Sequence, residues 1–244
     1  METVRYTVVP DSHGQYALVG RMVVAHLGIT DKFLFLGDIL NGPDSAKLIR
    51  LIRELGDMAV TIVGNHEWVG RNAMTLTSDS VVGLWQTEIW PGYEEDTLQG
   101  YGIHPTKNWV RNADALREKM TETGDLAWLH GLPPYFATDE FIAVHAGPDH
   151  DYPWSIQAEA LDQLLGYDAR LHDEPAPIFS GKLGQIVAVP ELVDNRTFVT
   201  GHLHLTLPPE QRVAPRKIGL ASPLDRGAPL YVWQSDHNRI YTHT

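Results

Sequence analysis

Five short stretches of this sequence place an aspartate, an asparagine or a histidine directly after an apolar run. They hold Asp11 with His13, Asp38, Asn65 with His66, His145, and His202 with His204. Carboxylate, amide oxygen and imidazole are donors for hard or borderline divalent cations. Asn65 is the informative member, because a buried amide needs partners for both its donors and its acceptor, and a metal ion is one such partner. Taken singly, each stretch is commonplace: a Gly-Asn turn after a strand is ordinary, and His66 can equally cap the next helix. All five together, in this order and each behind a hydrophobic strand, point to a metal centre built at strand ends.

The elements that must position these residues follow from periodicity. Tyr6 to Val9, Phe33 to Leu36 and Met58 to Val63 are short apolar runs, the last reading as a strand buried on both faces. Between them, Ala17, Leu18, Met22, Ala25 and His26, then Ala46, Leu48, Ile49, Ile52 and Leu55, recur at helical spacing, with Asp44 placed to cap the second helix. Alternating strands and helices predict a parallel sheet with right-handed crossovers, which gathers the polar turns at one sheet edge. Phe141 to Val144 and Thr197 to Thr200 are two more buried strands, helices are expected over 112–122 and 156–165, and Leu230 to Trp233 with Arg239 to Thr242 read as a hairpin. Residues 68–130 carry Trp68, Trp85, Trp90, Trp109 and Trp128 and form an irregular segment with a turn at Pro91 and Gly92. It reads as a helical insertion with a small aromatic core of its own, as a cap over the site, or as both.

Composition narrows the chemistry. The chain of 244 residues has no cysteine, so thiolate sites and disulfides are excluded, while twelve histidines leave nitrogen and oxygen ligands plentiful. A net charge of −12 argues against non-specific binding to nucleic acid or anionic membranes. No run approaches the ~18 apolar residues of a membrane span, and Met1 to Arg5 open no signal-like segment, so the expectation is a soluble cytoplasmic protein of one domain, 1–244.

The ordered blocks Asp11-x-His13, Gly37-Asp38, Gly64-Asn65-His66-Glu67, His145 and Gly201-His202-x-His204 resemble the calcineurin-like metallophosphoesterase superfamily, over most of the chain. Gly42 to Ser45, Thr97 to Gly102, and Leu132 to Phe136 leading into Val144 to Gly147 resemble its phosphoprotein-phosphatase and bacterial diadenosine tetraphosphate hydrolase branch. The resemblance implies an α/β (α+β) fold: a four-layer αββα sandwich, here with the Trp-rich insertion. It also implies a ligand division, in which Asp11, His13, Asp38 and His204 hold one cation, Asn65, His145 and His202 hold the other, and Asp38 bridges both. His66 is implied to protonate the leaving oxygen or polarise the phosphate rather than to bind metal. Asn65, His66 and Arg71 are the implied substrate contacts.

Two divalent ions ~3.5–4 Å apart neutralise a phosphate ester's charge and generate a bridging hydroxide, so the resemblance and the residue types agree on a metal-dependent phosphoesterase. Manganese is the favoured ion, with iron or zinc as alternatives. A small-molecule or peptide phosphoester is the expected partner. That branch has an Asp-Arg-Gly after its Gly-Asp and an arginine before Gly-Asn-His-Glu, whereas Asn41, Gly42 and Val63 stand in those places here. Arg71, Arg21 and Arg226 are the available replacements for the phosphate clamp. A dinucleoside-polyphosphate hydrolase is the alternative reading, followed by a serine/threonine protein phosphatase and by a non-enzymatic scaffold.

Overall fold

The computed structural model describes residues 4–42, 44–76, 93–164 and 187–244. Strands β1 (Tyr6–Val9), β2 (Lys32–Phe35) and β3 (Ala59–Thr61) lie parallel and in register, Tyr6 against Lys32 and Phe35 against Thr61. They are joined by α1 (Tyr16–His26) and α2 (Ser45–Glu54). Helix α3 (Asn65–Leu76) opens at the asparagine itself, and α4 (Tyr93–Gly100), α5 (Trp109–Thr123) and α6 (Asp125–His130) follow. A second sheet holds β4 (Tyr135–Ala137), β5 (Phe141–Val144), β6 (Thr197–Thr200), β7 (Val213–Ala214) and β8 (Lys217–Gly219) in the order β4-β5-β6-β8-β7, with α7 (Trp154–Leu164) between β5 and β6. The antiparallel hairpin β9 (Leu230–Gln234) and β10 (Arg239–His243) returns to the first sheet, giving the order β10-β9-β1-β2-β3.

Alternation along the strands explains why two sheets pack face to face. Val8, Leu34, Leu36 and Ile62 point inward to meet Phe141, Ala143, Val199 and Ile218 of the other sheet in one buried cluster. Their neighbours Val9, Phe33 and Phe35 turn the other way, clustering with Val19 and Met22 of α1 and Leu48 and Ile49 of α2. A mixed α/β architecture of two five-stranded sheets with helices outside them matches the expected sandwich.

Three local expectations are corrected. β3 is the outer strand of its sheet, and Ala59 and Val60 are only half-buried, so the run is covered fully on both faces only at its end, where Ile62 and Val63 join the two opposite clusters. Asp44 precedes α2 without capping it; its carboxylate takes Lys47 at 2.6 Å, and Ser45 Oγ accepts the Gly42 N–H at 3.0 Å instead. The described apolar residues of the 68–130 segment form no separate core: Leu98, Leu116, Met120 and Leu129 belong to the cluster that includes α2, and Trp68 and Trp128 pack against it. Trp85, Trp90, the Pro91–Gly92 turn and 171–186 lie outside the described residues. Helix α5 begins earlier than expected because the Asn108 side chain accepts the Arg111 N–H, and it ends at Gly124, whose φ of 75° suits glycine. Among the described residues no helix is long and apolar enough to cross a membrane.

Candidate metal centre

The parallel strands deliver all five polar turns to one place. Asp11, His13 and His204 offer ligand atoms within 4.8 Å of one another, and so do Asp38, His145 and His202. A third such group, His13, Asp38 and His66, links the two. His204 Nε2 stands 3.2 Å from Asp11 Oδ2 and 3.4 Å from His13 Nε2. Asn65 Oδ1 is 2.8 Å from His145 Nε2 and 3.1 Å from His202 Nδ1. His66 Nε2 lies 3.5 Å from Asp38 Oδ2. Asp11 and Asp38 are each 1% exposed and His145 is fully buried, whereas the His204 side chain is 35% exposed.

Backbone strain is concentrated here. His13, Asp38 and His202 have φ of 39°, 50° and 60°, left-handed values that cost a non-glycine residue about 1–3 kcal/mol and persist only where neighbours over-determine them. Those neighbours are visible. Glu67, in the first turn of α3, accepts the N–H groups of Asp38 (2.6 Å), Ile39 (2.8 Å), Leu40 (2.9 Å) and Gly64 (3.1 Å) with its two carboxylate oxygens. The Asp38 carbonyl in turn accepts Ser12 N–H and His13 N–H at 3.0 and 2.9 Å, locking the first turn to the second. Two of the three glycines that precede ligands make room for carboxylates: a Cβ on Gly64 would strike Asp38 Oδ1, and one on Gly201 would strike Asp11 Oδ1.

Charge is balanced tightly. Burial works to raise the Asp38 pKa, but the charges of His145 and His66 and the hydrogen bond with His145 outweigh it and hold the carboxyl well below its usual range. Burial likewise opposes a low pKa at Asp11, where the hydrogen bond with His204 and the charge of His145 prevail. At His66 burial dominates, pulling the imidazole down to about 4 against the attraction of Asp38. Burial and the Asp38 charge push Glu67 up, opposed by its backbone donors.

A model of the calcineurin-like phosphoesterase family matches residues 4–205. The chain belongs to that family. Among its relatives, the symmetrical bis(5'-nucleosyl)-tetraphosphatase of Thioalkalivibrio sulfidiphilus is 45% identical over 133 residues, which is 49% of this chain and 44% of the relative. The protein of the same name from Nitrosospira multiformis is 45% identical over 139 residues, 55% of this chain and 39% of its own. The chain thus spans less than half the length of these relatives. A crystal structure assigned as a diadenosine tetraphosphatase superposes with a TM-score of 0.58 at 22% identity, covering 98% of this chain and 93% of the other. A Saccharomyces cerevisiae protein serine/threonine phosphatase gives 0.55 at 17% identity, covering 98% and 79%. These structures share the fold.

The family is one of binuclear metal-dependent phosphoesterases, and the calcineurin-like centre of this chain has a donor set that fits two cations. His145 is the test. Its Nδ1 faces the Leu36 carbonyl at 2.7 Å and is the donor there, so in a neutral ring the Nε2 lone pair points at Asn65 Oδ1 and, at 3.3 Å, at Asp38 Oδ2. Lone pairs converging in a buried space require a positive charge between them. With no metal, only a proton can supply it: burial opposes that proton, yet the Asp38 charge and hydrogen bond raise His145 to about 10. A divalent cation satisfies the same atoms without it.

All seven expected ligands are therefore neighbours, and His66 is beside them. Arg71 is buried on α3, where it interacts electrostatically with Glu67 and with His130 of α6. Arg21 donates to the Thr244 carbonyl at 3.2 Å. Sequence reasoning missed the part played by Glu67, although an acidic residue in the first turn of a helix was the available signal.

Proposed function

We propose that this chain is a metal-dependent phosphoesterase in which Asp11, His13, Asp38 and His204 hold one divalent cation, Asn65, His145 and His202 hold a second, and Asp38 serves both. The observation that carries this reading is the convergence of Asn65 Oδ1 and Asp38 Oδ2 on His145 Nε2, at 2.8 and 3.3 Å, with His202 Nδ1 at 3.1 Å from the same amide oxygen. When bound, such a pair of cations offsets phosphate charge and acidifies water. Asp38 is suited to sharing because its two oxygens are differently engaged, Oδ1 accepting the His66 N–H at 3.1 Å and Oδ2 facing His145 and His66. For His66, a pKa near 4 supports polarisation of the phosphate by a neutral imidazole N–H over delivery of a proton from an imidazolium. Asn65 and His66 are the proposed substrate contacts, with Arg71 as a third. Imidazole and carboxylate together favour manganese, iron or zinc, and manganese is the ion to supply. The same reading puts the protein in the cytoplasm, acting on a small-molecule or peptide phosphoester.

Residues 68–130 act as a cap in this reading. Support comes from Thr97 of α4, whose hydroxyl accepts the Asn41 N–H at 3.0 Å and ties that segment to the turn behind Asp38. The substrate named by the tetraphosphatase relatives favours a second reading, hydrolysis of a dinucleoside polyphosphate. Assay of the purified chain with manganese against p-nitrophenyl phosphate, a phosphopeptide and a dinucleoside tetraphosphate tests both. Metal-dependent turnover of any of them supports the phosphoesterase, and a preference for the dinucleotide supports the second reading. No turnover of any, with two metals bound, contradicts the enzyme.

A further inference from the structure

The stretch that presents His202 and His204, from Gly201 to Pro208, is neither helix nor strand, so its carbonyls need partners from elsewhere. One side chain supplies two of them. Arg212 Nε donates to the Leu207 carbonyl at 2.8 Å and Nη2 to the Leu205 carbonyl at 2.6 Å. On its other side Nη1 faces the carbonyls of Ala221 (2.9 Å), Leu220 (3.1 Å) and Gly219 (3.3 Å), at the end of β8. The residue is fully buried, and the guanidinium lies 3.9 Å over the Tyr231 ring. Among the described residues no carboxylate pairs with it; five carbonyl dipoles and a ring face take the place of a counter-ion.

The opposite end of the same loop is fixed too, since both Asp11 oxygens accept the His202 N–H, at 2.9 and 3.0 Å. His204 sits between these two anchors, its side chain about one-third exposed and its ring 5.3 Å from that of His13. We infer that Arg212 is the positioning residue for His204: by holding the carbonyls of Leu205 and Leu207 against the end of β8, it aims the imidazole at Asp11 and His13. Its planar fork reaches both walls at once, which the compact ammonium of lysine cannot do. The inference rests on the reading of His204 as a metal ligand.

The test is manganese titration by calorimetry on the full chain, comparing wild type, His204→Ala and Arg212→Lys, with circular dichroism to establish folding. Hydrogen exchange of the metal-free proteins over 201–208 gives a readout independent of metal. His204→Ala should lose one of two binding events. Arg212→Lys should weaken that same event by about ten- to a hundredfold, the usual effect of removing support behind a ligand, while the other event keeps its affinity. Exchange over the loop should quicken in Arg212→Lys and stay as in wild type elsewhere. Should the lysine variant not fold, Tyr231→Leu, which keeps every guanidinium donor but strips its stacking face, should give the same pattern in smaller measure. Wild-type titration by a folded Arg212→Lys, with one event lost in His204→Ala, overturns the inference alone. An unchanged titration in His204→Ala overturns the ligand reading and the inference with it.

Discussion

Two anchors hold the candidate centre, one beside each sheet, and they are built from opposite chemistry. Beside the sheet that ends in Asp11 and Asp38, a carboxylate, Glu67, gathers four backbone N–H groups; beside the sheet that leads to His202 and His204, a guanidinium, Arg212, gathers five carbonyls. The first anchor lies two residues beyond Asn65, within the turn it organises, and its ligands are almost fully buried. The second reaches back from beyond the loop, and the ligand it serves is about one-third exposed. One half of the site is fixed before any cation arrives. In the other half the His204 end of its loop hangs on a single side chain, so damage to the first anchor should disturb both cations and damage to the second only one.

The largest effect belongs to the residue common to both halves. Asp38→Ala should lower turnover by about 10³-fold or more and weaken both manganese binding events, because no neighbouring carboxylate can take its place between them. Loss of only one event in the titration would mean that the halves do not share Asp38.

Next in size is His66→Ala. Removing one preorganised donor should cut kcat by about 10²- to 10³-fold while elemental analysis still finds wild-type metal content. A variant depleted of metal would make His66 a ligand and move the boundary of the first half.

Glu67→Gln separates the two anchors directly. An amide offers one acceptor oxygen where the carboxylate offers two, leaving buried N–H groups unpaired at a cost of about 3 kcal/mol. Urea unfolding should report that loss, and both metal affinities should fall together. An effect confined to one metal would erase the distinction drawn between the anchors.

The smallest effect lies at the far end of α1 and serves as a control. His26 Nε2 meets His243 Nε2 at 3.1 Å, and His26 Nδ1 meets the Thr7 hydroxyl at 3.2 Å. Burial lowers both histidines below their ordinary 6.5, with His243 pressing His26 further down. The unfolded chain therefore binds protons there more readily than the folded one, so this contribution to stability is complete above about pH 6.5 and declines as the pH falls below it. His26→Gln should flatten the slope of melting temperature against pH in metal-free protein. An unaltered slope would show that the pair does not titrate as described.

How much of this the sequence discloses depends on how local each cause is. The strands that end in Asp11, Asp38, His145 and His202 were legible because each apolar run is terminated by a polar turn, and parallel topology then brings the ends together. The position of β3 at the sheet edge was not legible, since Met58 to Val63 is as apolar as a central strand. Glu67 was visible as part of a motif but its role was not, because its partners on Asp38 to Leu40 are brought to it only by the sheet. Arg212 gave no sign at all: an arginine between glutamine and valine reads as surface, and only the folded loop shows five carbonyls facing it. The tryptophans of the 68–130 segment misled in the other direction, suggesting a separate core where Trp68 and Trp128 lean on the main one.

The central claim, two cations sharing Asp38, is tested most directly by anomalous diffraction from crystals grown with manganese. The account predicts two peaks, one among Asp11, His13, Asp38 and His204 and one among Asp38, Asn65, His145 and His202, with Asp38 oxygen in contact with both. A single peak at saturating manganese, or two peaks of which only one touches Asp38, would contradict it.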